Sequence, residues 1–98
     1  MSENITWHPW PDDTENAQGR SAEIDGEVGD RWWLETWPMD NVRRWHWAVA
    51  WCPPESDSWQ ELAIGSAATL EEAQTLMIEF RDNQEKTWRD EAEARKNT

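Results

Sequence analysis

The sequence has 98 residues and a formal net charge of −12, with ten tryptophans, one phenylalanine and no tyrosine. This length allows one small domain with a tail, which excludes a multidomain enzyme. Because 21 acidic residues face only 9 basic ones, the chain would repel a phosphate backbone, so direct binding to nucleic acid is not expected and a basic partner is favoured.

The first thirty residues carry a net charge of −7, and their few apolar residues follow no sustained period. This composition predicts an irregular or partly disordered acidic arm over residues 1–30. Residues 5–11, ITWHPWP, are an exception, because Trp7 and Trp10 could dock in an extended segment whose two prolines prevent a helix. We call this segment the hook and expect it to anchor the arm.

Residues 31–51 are nearly neutral and rich in tryptophan, and they predict two antiparallel strands joined by a turn at PMDNV. In the second strand two sets of side chains alternate: Trp45, Trp47, Val49 and Trp51 on one face, and Arg44, His46, Ala48 and Ala50 on the other. A third strand, residues 59–67, follows the break at Pro53 and Pro54. Strict alternation there places Leu62 and Ile64 on one face and Trp59, Glu61 and Ala63 on the other.

Thr69 and Glu72 match a capping box, which predicts a helix over about residues 69–96. Its apolar stripe comprises Leu70, Ala73, Leu76, Met77, Phe80 and Trp88. Three acid and base pairs four residues apart predict ion pairs on the solvated side, namely Asp82/Lys86, Glu85/Arg89 and Glu91/Arg95.

These elements predict an α+β fold in which one long C-terminal helix packs on a face of an antiparallel three- or four-stranded sheet, with the folded domain over residues 31–98. Two arrangements of the tryptophans are compatible with it. In one, the small Ala48 and Ala50 face receives the helix and the hook covers the tryptophan face. In the other, part of the Trp45, Trp47 and Trp51 face stays exposed as an alternative partner-binding patch.

Catalytic and metal-binding patterns are not evident. His8 and His46 stand in no spacing suited to a metal, and Cys52 has no helix N-terminus or local base that would lower its pKa, which favours a small structural residue. The adjacent pair Asp12 and Asp13 has no apolar surroundings to raise a pKa. We therefore expect no enzyme activity, no cofactor and no metal site.

The expected location is the cytoplasm. A single cysteine cannot form an internal disulfide, no apolar run approaches 18 residues, and the N-terminus lacks the basic and apolar regions of a secretion signal. Membrane binding is accordingly not expected.

Several binding roles are compatible with these features. Two arginines beside tryptophans in residues 43–47 could stack on bases, although the overall charge opposes this. Tryptophans flanked by acids also suit a carbohydrate-binding module. The acidity could instead serve only solubility, in a small structural or adaptor domain that homodimerises or binds a partner through a tryptophan face.

Acidic stretches lie at residues 12–15, DDTE, and 23–30, EIDGEVGD. In size and composition the chain resembles small acidic inhibitors encoded by phages and mobile elements, including DNA-mimicking anti-restriction and anti-CRISPR proteins, and less closely the acidic immunity proteins of nucleases. The resemblance implies an inhibitor that occupies the basic, nucleic-acid-binding surface of a CRISPR effector or nuclease. The residues expected to bind that partner are Asp12, Asp13, Glu15, Glu23, Asp25, Glu27 and Asp30, with Trp7 and Trp10 as anchors.

Overall fold

The structure is a computed structural model and describes residues 5–9, 19–39 and 43–96. It has an α+β fold, as predicted, in which a five-stranded antiparallel sheet has the strand order β1-β2-β3-β4-β5 and a single helix follows. The elements are β1 (His8–Pro9), β2 (Arg20–Asp25), β3 (Arg31–Pro38), β4 (Trp45–Cys52), β5 (Gln60–Ala67) and α1 (Leu70–Lys96). The sheet is thus a meander with more strands than the three or four expected.

The additional strands lie in the predicted acidic arm. β2 pairs with β3 along its whole length, with Ala22 opposite Leu34 and Ile24 opposite Trp32. The expectation of an irregular arm ending at residue 30 is therefore wrong for β2, and the β2–β3 hairpin crosses the expected domain boundary. Two apolar residues are too few to show a period, and the core that they join is supplied by β3.

The hook contributes an edge strand. His8 pairs with Ser21 and Pro9 with Arg20, while Trp7 packs against the hydrophobic core. A proline is compatible with this position because an edge strand leaves one row of backbone groups unpaired. The second predicted anchor, Trp10, lies outside the described residues.

The strand register separates two faces of the sheet. Trp32, Leu34 and Thr36 lie directly opposite Trp51, Val49 and Trp47, so these six side chains share a face that we call the inner face. The core consists of Trp32, Leu34, Val49 and Met77, all fully buried, and Met77 belongs to α1. The helix therefore covers the tryptophan face of β4.

This placement corrects the expectation that the helix packs on Ala48 and Ala50. Trp88 explains the preference, because its ring centroid lies 5.8 Å from that of Trp32 and 4.8 Å from that of Trp51. Burying three large indoles together removes more apolar surface from water than packing the helix on two alanines would. The face of small residues remains on the opposite side, which we call the outer face.

The helix begins where the sequence predicts. The Thr69 hydroxyl accepts a hydrogen bond of 3.1 Å from the backbone N–H of Glu72, and the first intrahelical bond joins Ala73 to the Thr69 carbonyl. Ala73 and Met77 of the predicted stripe are buried. None of the helices in the described part of the chain is long and apolar enough to cross a membrane.

Two of the predicted ion pairs of α1, Asp82/Lys86 and Glu85/Arg89, are replaced by others. Lys86 pairs with Asp90 at 3.1 Å rather than with Asp82, because the Asp82 carboxylate contacts the guanidinium of the neighbouring Arg81. Arg81 also lies 3.5 Å from Glu85 and is itself buried, with only 3% of its surface exposed. A charged residue on the packed side of the helix was not foreseen by the apolar stripe.

A β-bulge shifts the alternation in β5. Ala63 pairs with Val49 but Glu61 pairs with Ala50, so Leu62 is the extra residue. Leu62 consequently packs against the core, whereas Ile64 lies on the outer face and is 67% exposed. The prediction that Leu62 and Ile64 share a face is therefore wrong, because strict alternation does not allow for an inserted residue.

Gly65 provides a test of the inner-face packing. A Cβ atom at this position would lie 2.5 Å from Cζ2 of Trp47, its cross-strand partner. Gly65→Ala should lower the free energy of unfolding by about 1–3 kcal/mol through overpacking, as measured by equilibrium urea denaturation. The loss should be smaller in a Trp47→Phe background, and Ser66→Ala, at an exposed neighbouring position, should stay within about 0.5 kcal/mol. An equal loss in both backgrounds would show that Trp47 is not the obstacle.

Candidate functional site

The outer face displays aromatic side chains and carboxylates side by side. A row in register crosses four strands, with Glu23 opposite Trp33, Trp33 opposite Ala50, and Ala50 opposite Glu61. With neighbouring strands about 4.8 Å apart, the backbones of the two glutamates are separated by about 14 Å. The row thus places one indole and one small residue between two negative charges.

Trp59 completes a pocket over this row. It precedes β5 and meets Trp33 nearly edge to face, with ring centroids 6.5 Å apart and an angle of 69° between the planes. The cavity between them has a volume of about 360 Å³ and is also lined by Glu23 and Ala50. Ala50 lies at the floor of this cavity, and its side chain is only a methyl group, which leaves the space above it open. We call it the Trp33/Trp59 pocket.

A cation already lies at the edge of this pocket. The guanidinium carbon of Arg31 is 5.2 Å from the Trp59 ring centroid, and a guanidinium nitrogen is 4.0 Å from a Glu23 oxygen. A hydrogen bond to Cys52 Sγ raises the pKa of Arg31, and the nearby carboxylates act in the same direction. The pocket therefore has walls that accommodate a positive charge.

The Trp33 ring is also fixed by polar contacts. Its Nε1–H donates a hydrogen bond of 3.2 Å to Oε2 of Glu35, so a further carboxylate lies beside this ring. An indole held in this way presents a defined surface at a small cost in side-chain entropy.

A second concavity lies farther along the outer face. Trp37 and His46 pack with ring centroids 5.3 Å apart, and Ile64 is exposed beside them. This concavity measures about 620 Å³ and includes Ala48 and Glu61 in its lining. Ala48 lines this concavity and Ala50 lines the Trp33/Trp59 pocket, so each concavity contains a small side chain near the centre of the face.

The predicted partner-binding acids occupy different environments. Glu23 and Asp25 are exposed, and the register places both on the outer face. Glu27 is in the β2–β3 turn and forms an ion pair of 2.7 Å with Arg89 of α1. The remaining predicted acids, Asp12, Asp13 and Glu15, lie outside the described residues.

Asp30 has a structural role. Only 3% of its surface is exposed, and its Oδ2 accepts a hydrogen bond of 2.6 Å from Trp51 Nε1. The Val28 N–H points at its other oxygen at 3.4 Å, and Gly26 leaves the space that this carboxylate occupies. A side chain committed in this way is not displayed to a partner, which corrects its predicted role.

The predicted tryptophan sites are also redistributed. Trp7 packs against the core rather than reaching outward. The alternative partner face of Trp45, Trp47 and Trp51 is the inner face, where Trp47 and Trp51 pack against the core beneath α1. The tryptophans that the register and contacts of the described residues place on the outer face are Trp33, Trp37 and Trp59, of which Trp59 is exposed and the other two are half-buried. Only the adjacency of Trp32 and Trp33, which forces one indole onto each face, signals this in the sequence.

A groove of about 220 Å³ runs between the β2–β3 turn and α1, and Glu85 and Trp88 are among its lining residues. Burial raises the pKa of Glu85, an effect partly opposed by Arg81. The ion pair between Glu27 and Arg89 lies at this groove; both side chains are about half exposed, so the pair contributes at most about 1 kcal/mol. The ion pair thus joins the turn to the helix at this groove.

Cys52 is fully buried and donates a hydrogen bond of 3.0 Å to the Ser56 carbonyl, which suits a structural thiol. Within residues 5–9, 19–39 and 43–96, no three His, Cys, Asp or Glu side chains are grouped to hold a metal ion. Comparisons with models of protein families, with curated proteins and with solved structures find no match.

The role of Asp30 can be separated from partner binding. Asp30→Ala should lower the free energy of unfolding by about 1–3 kcal/mol, because the Trp51 indole N–H loses its acceptor. Asp25→Ala, which removes an exposed acid from the same hairpin, should change stability by less than about 0.5 kcal/mol. Thermal and urea unfolding followed by tryptophan fluorescence measure both. Equal stability of the two variants would return Asp30 to the candidate binding residues.

Proposed function

We propose that the protein is an acidic binding module that docks its outer face on a basic protein surface. The observation that carries this proposal is the juxtaposition of an exposed indole, Trp59, and a half-buried one, Trp33, with carboxylates on one face of the sheet. Aromatic side chains supply the buried anchors of interfaces, whereas complementary charges increase the association rate and select the partner. The role is one of binding rather than catalysis.

The charge of the outer face supports a basic partner. Among the described residues, four carboxylates stand against two guanidinium groups there: Glu23, Asp25, Glu35 and Glu61 against Arg31 and Arg44. The chain as a whole, including this face, carries a net charge of −12. Positive surfaces are therefore attracted, and acidic surfaces repelled, over about one Debye length, which grows from about 10 Å at about 0.1 M salt to about 30 Å at about 0.01 M.

Nucleic-acid-binding proteins expose positively charged surfaces. A module that covers such a surface with carboxylates and indoles competes with nucleic acid both sterically and electrostatically. We accordingly infer an inhibitory role against a nuclease or CRISPR effector, which is also what the resemblance to small phage-encoded inhibitors implies. The outer face, rather than the whole acidic arm, is the surface assigned to this contact.

The test compares two triple variants that change the net charge equally. Glu23→Gln, Glu35→Gln and Glu61→Gln neutralise the outer face, whereas Glu79→Gln, Glu91→Gln and Glu93→Gln neutralise exposed positions of α1. Partners are captured from a host extract and identified, and affinities are then measured with the purified partner at several salt concentrations. The outer-face variant should bind about tenfold more weakly, from three pairs of about 0.5 kcal/mol each, and with a smaller salt dependence.

The α1 variant should bind like the wild type, and duplex DNA should displace the captured protein. If both variants lose affinity equally, the total charge matters and the outer face is not the interface. A captured partner that is acidic, or that binds DNA and this protein simultaneously, would refute the inhibitory role.

A second candidate function is self-association through the apolar end of the outer face, and the 67% exposure of Ile64 favours it. A dimer held by apolar contact should persist between about 0.1 M and about 1 M NaCl, since screening weakens only charged contacts. Sedimentation velocity measures this, and Ile64→Arg should then produce monomers. A monomer at both salt concentrations would exclude the dimer.

A further inference from the structure

We propose that the Trp33/Trp59 pocket binds an alkylammonium group, supplied by a lysine side chain of the basic partner. This inference rests on the proposed function for the source of the cation, but the pocket can be tested without the partner. It assigns a defined ligand chemistry to one part of the outer face.

The shape of the pocket suits a cationic chain. Two indole planes at 69° form a corner, and the methyl group of Ala50 forms the floor. The methylenes of a lysine would contact the rings, since they are as apolar as the indole surface. The ammonium group would lie against a ring face, where the quadrupole of the indole attracts positive charge.

The charges around the pocket favour the same ligand. Glu23 lines the cavity, Glu35 accepts the hydrogen bond of Trp33, and Glu61 ends the row beyond Ala50. Glu23 is thus the carboxylate that lines the site, with two more carboxylates on neighbouring residues and one cation, Arg31, at its edge. An ammonium group has three N–H donors and could donate to the Glu23 carboxylate while it remains in contact with an indole.

Arg31 shows what the pocket accepts and also limits its affinity. Its guanidinium lies over Trp59 and near Glu23, which is the combination of contacts that an incoming ammonium would use. An incoming cation therefore meets repulsion from Arg31 and competes with it for the ring and the carboxylate. Removing Arg31 should strengthen binding, whereas removing Glu23 should weaken it.

The experiment titrates the purified protein with n-butylammonium chloride, which reproduces the lysine side chain, at constant ionic strength. Indole Nε1–H resonances are followed by two-dimensional NMR, and those of Trp33 and Trp59 should shift in a saturable way. The uncharged analogue 1-butanol should give no saturable shift over the same range. The resonance of the fully buried inner-face residue Trp32 serves as the internal reference.

Variants give opposite expectations. Trp59→Leu and Glu23→Gln should each weaken n-butylammonium binding about fivefold or more, and Arg31→Gln should strengthen it about threefold. Glu91→Gln, which changes the net charge as Glu23→Gln does but lies on α1, should leave binding unchanged. All four positions are exposed or partly exposed, so the inner-face core is retained.

Equal shifts with 1-butanol, or equal losses in Glu23→Gln and Glu91→Gln, would overturn the proposal, as would weaker binding in Arg31→Gln. The results also distinguish failure of the lysine site from failure of the proposed function. Saturable n-butylammonium binding without capture of a basic partner would leave the pocket standing and refute the proposed function. Capture of a basic partner by the Trp59→Leu variant at full affinity would leave the function standing and refute the lysine site.

Discussion

The contact of Trp88 with Trp32 and Trp51 holds α1 to the sheet and thereby decides which face becomes the core. Each indole buries about 150–250 Å², equivalent to about 4–6 kcal/mol before the entropy cost of ordering. The helix starts at the end of β5 and must run back across the sheet for Trp88 to reach these residues. A single helix in this position cannot also cover the other face. The strand residues that alternate with those of the inner face therefore lie on the outer face.

The consequences of this constraint can be followed through the register. Trp33, next to the buried Trp32, faces outward, and so do Ala50 and Ala48 beside Trp51 and Val49. Trp33 comes to lie beside Glu23 because β2 pairs with β3 without a register shift. The outer face is thus assembled from residues distant in sequence, by pairings that the inner-face core stabilises.

Part of this arrangement could be read from the sequence. The Thr69 cap, the extent of α1 and the alternation of β4 are local patterns, and each appears in the structure as predicted. The choice of face for the helix is not local, because β4 offers a large-residue face and a small-residue face that are equally well formed. The prediction that Leu62 and Ile64 share a face is wrong for a related reason. A bulge depends on the partner strand, and the sequence of β5 alone does not indicate it.

The acidic residues show the same limit more strongly. Glu23, Glu27 and Asp30 lie within one acidic stretch, yet one lines a pocket, one pairs with the helix and one is buried against Trp51. Composition assigns all three to the same role. Their three environments depend on the β2–β3 hairpin. In the sequence, only two apolar residues of β2 indicate this hairpin.

The two faces treat their indoles differently, and this difference bears on function. On the inner face, Trp51 donates to Asp30, but Nε1 of Trp32 and of Trp47 is buried and has no hydrogen-bond partner among the described residues, because packing outweighs polar satisfaction there. On the outer face, Trp33 donates to Glu35 and Trp59 lies under Arg31. These rings combine an apolar body with polar or charged neighbours, which is the arrangement found where aromatic residues meet a partner. The small side chains of Ala48 and Ala50 leave the space above the sheet open between such rings, and in the proposed complex that space receives the side chains of the partner.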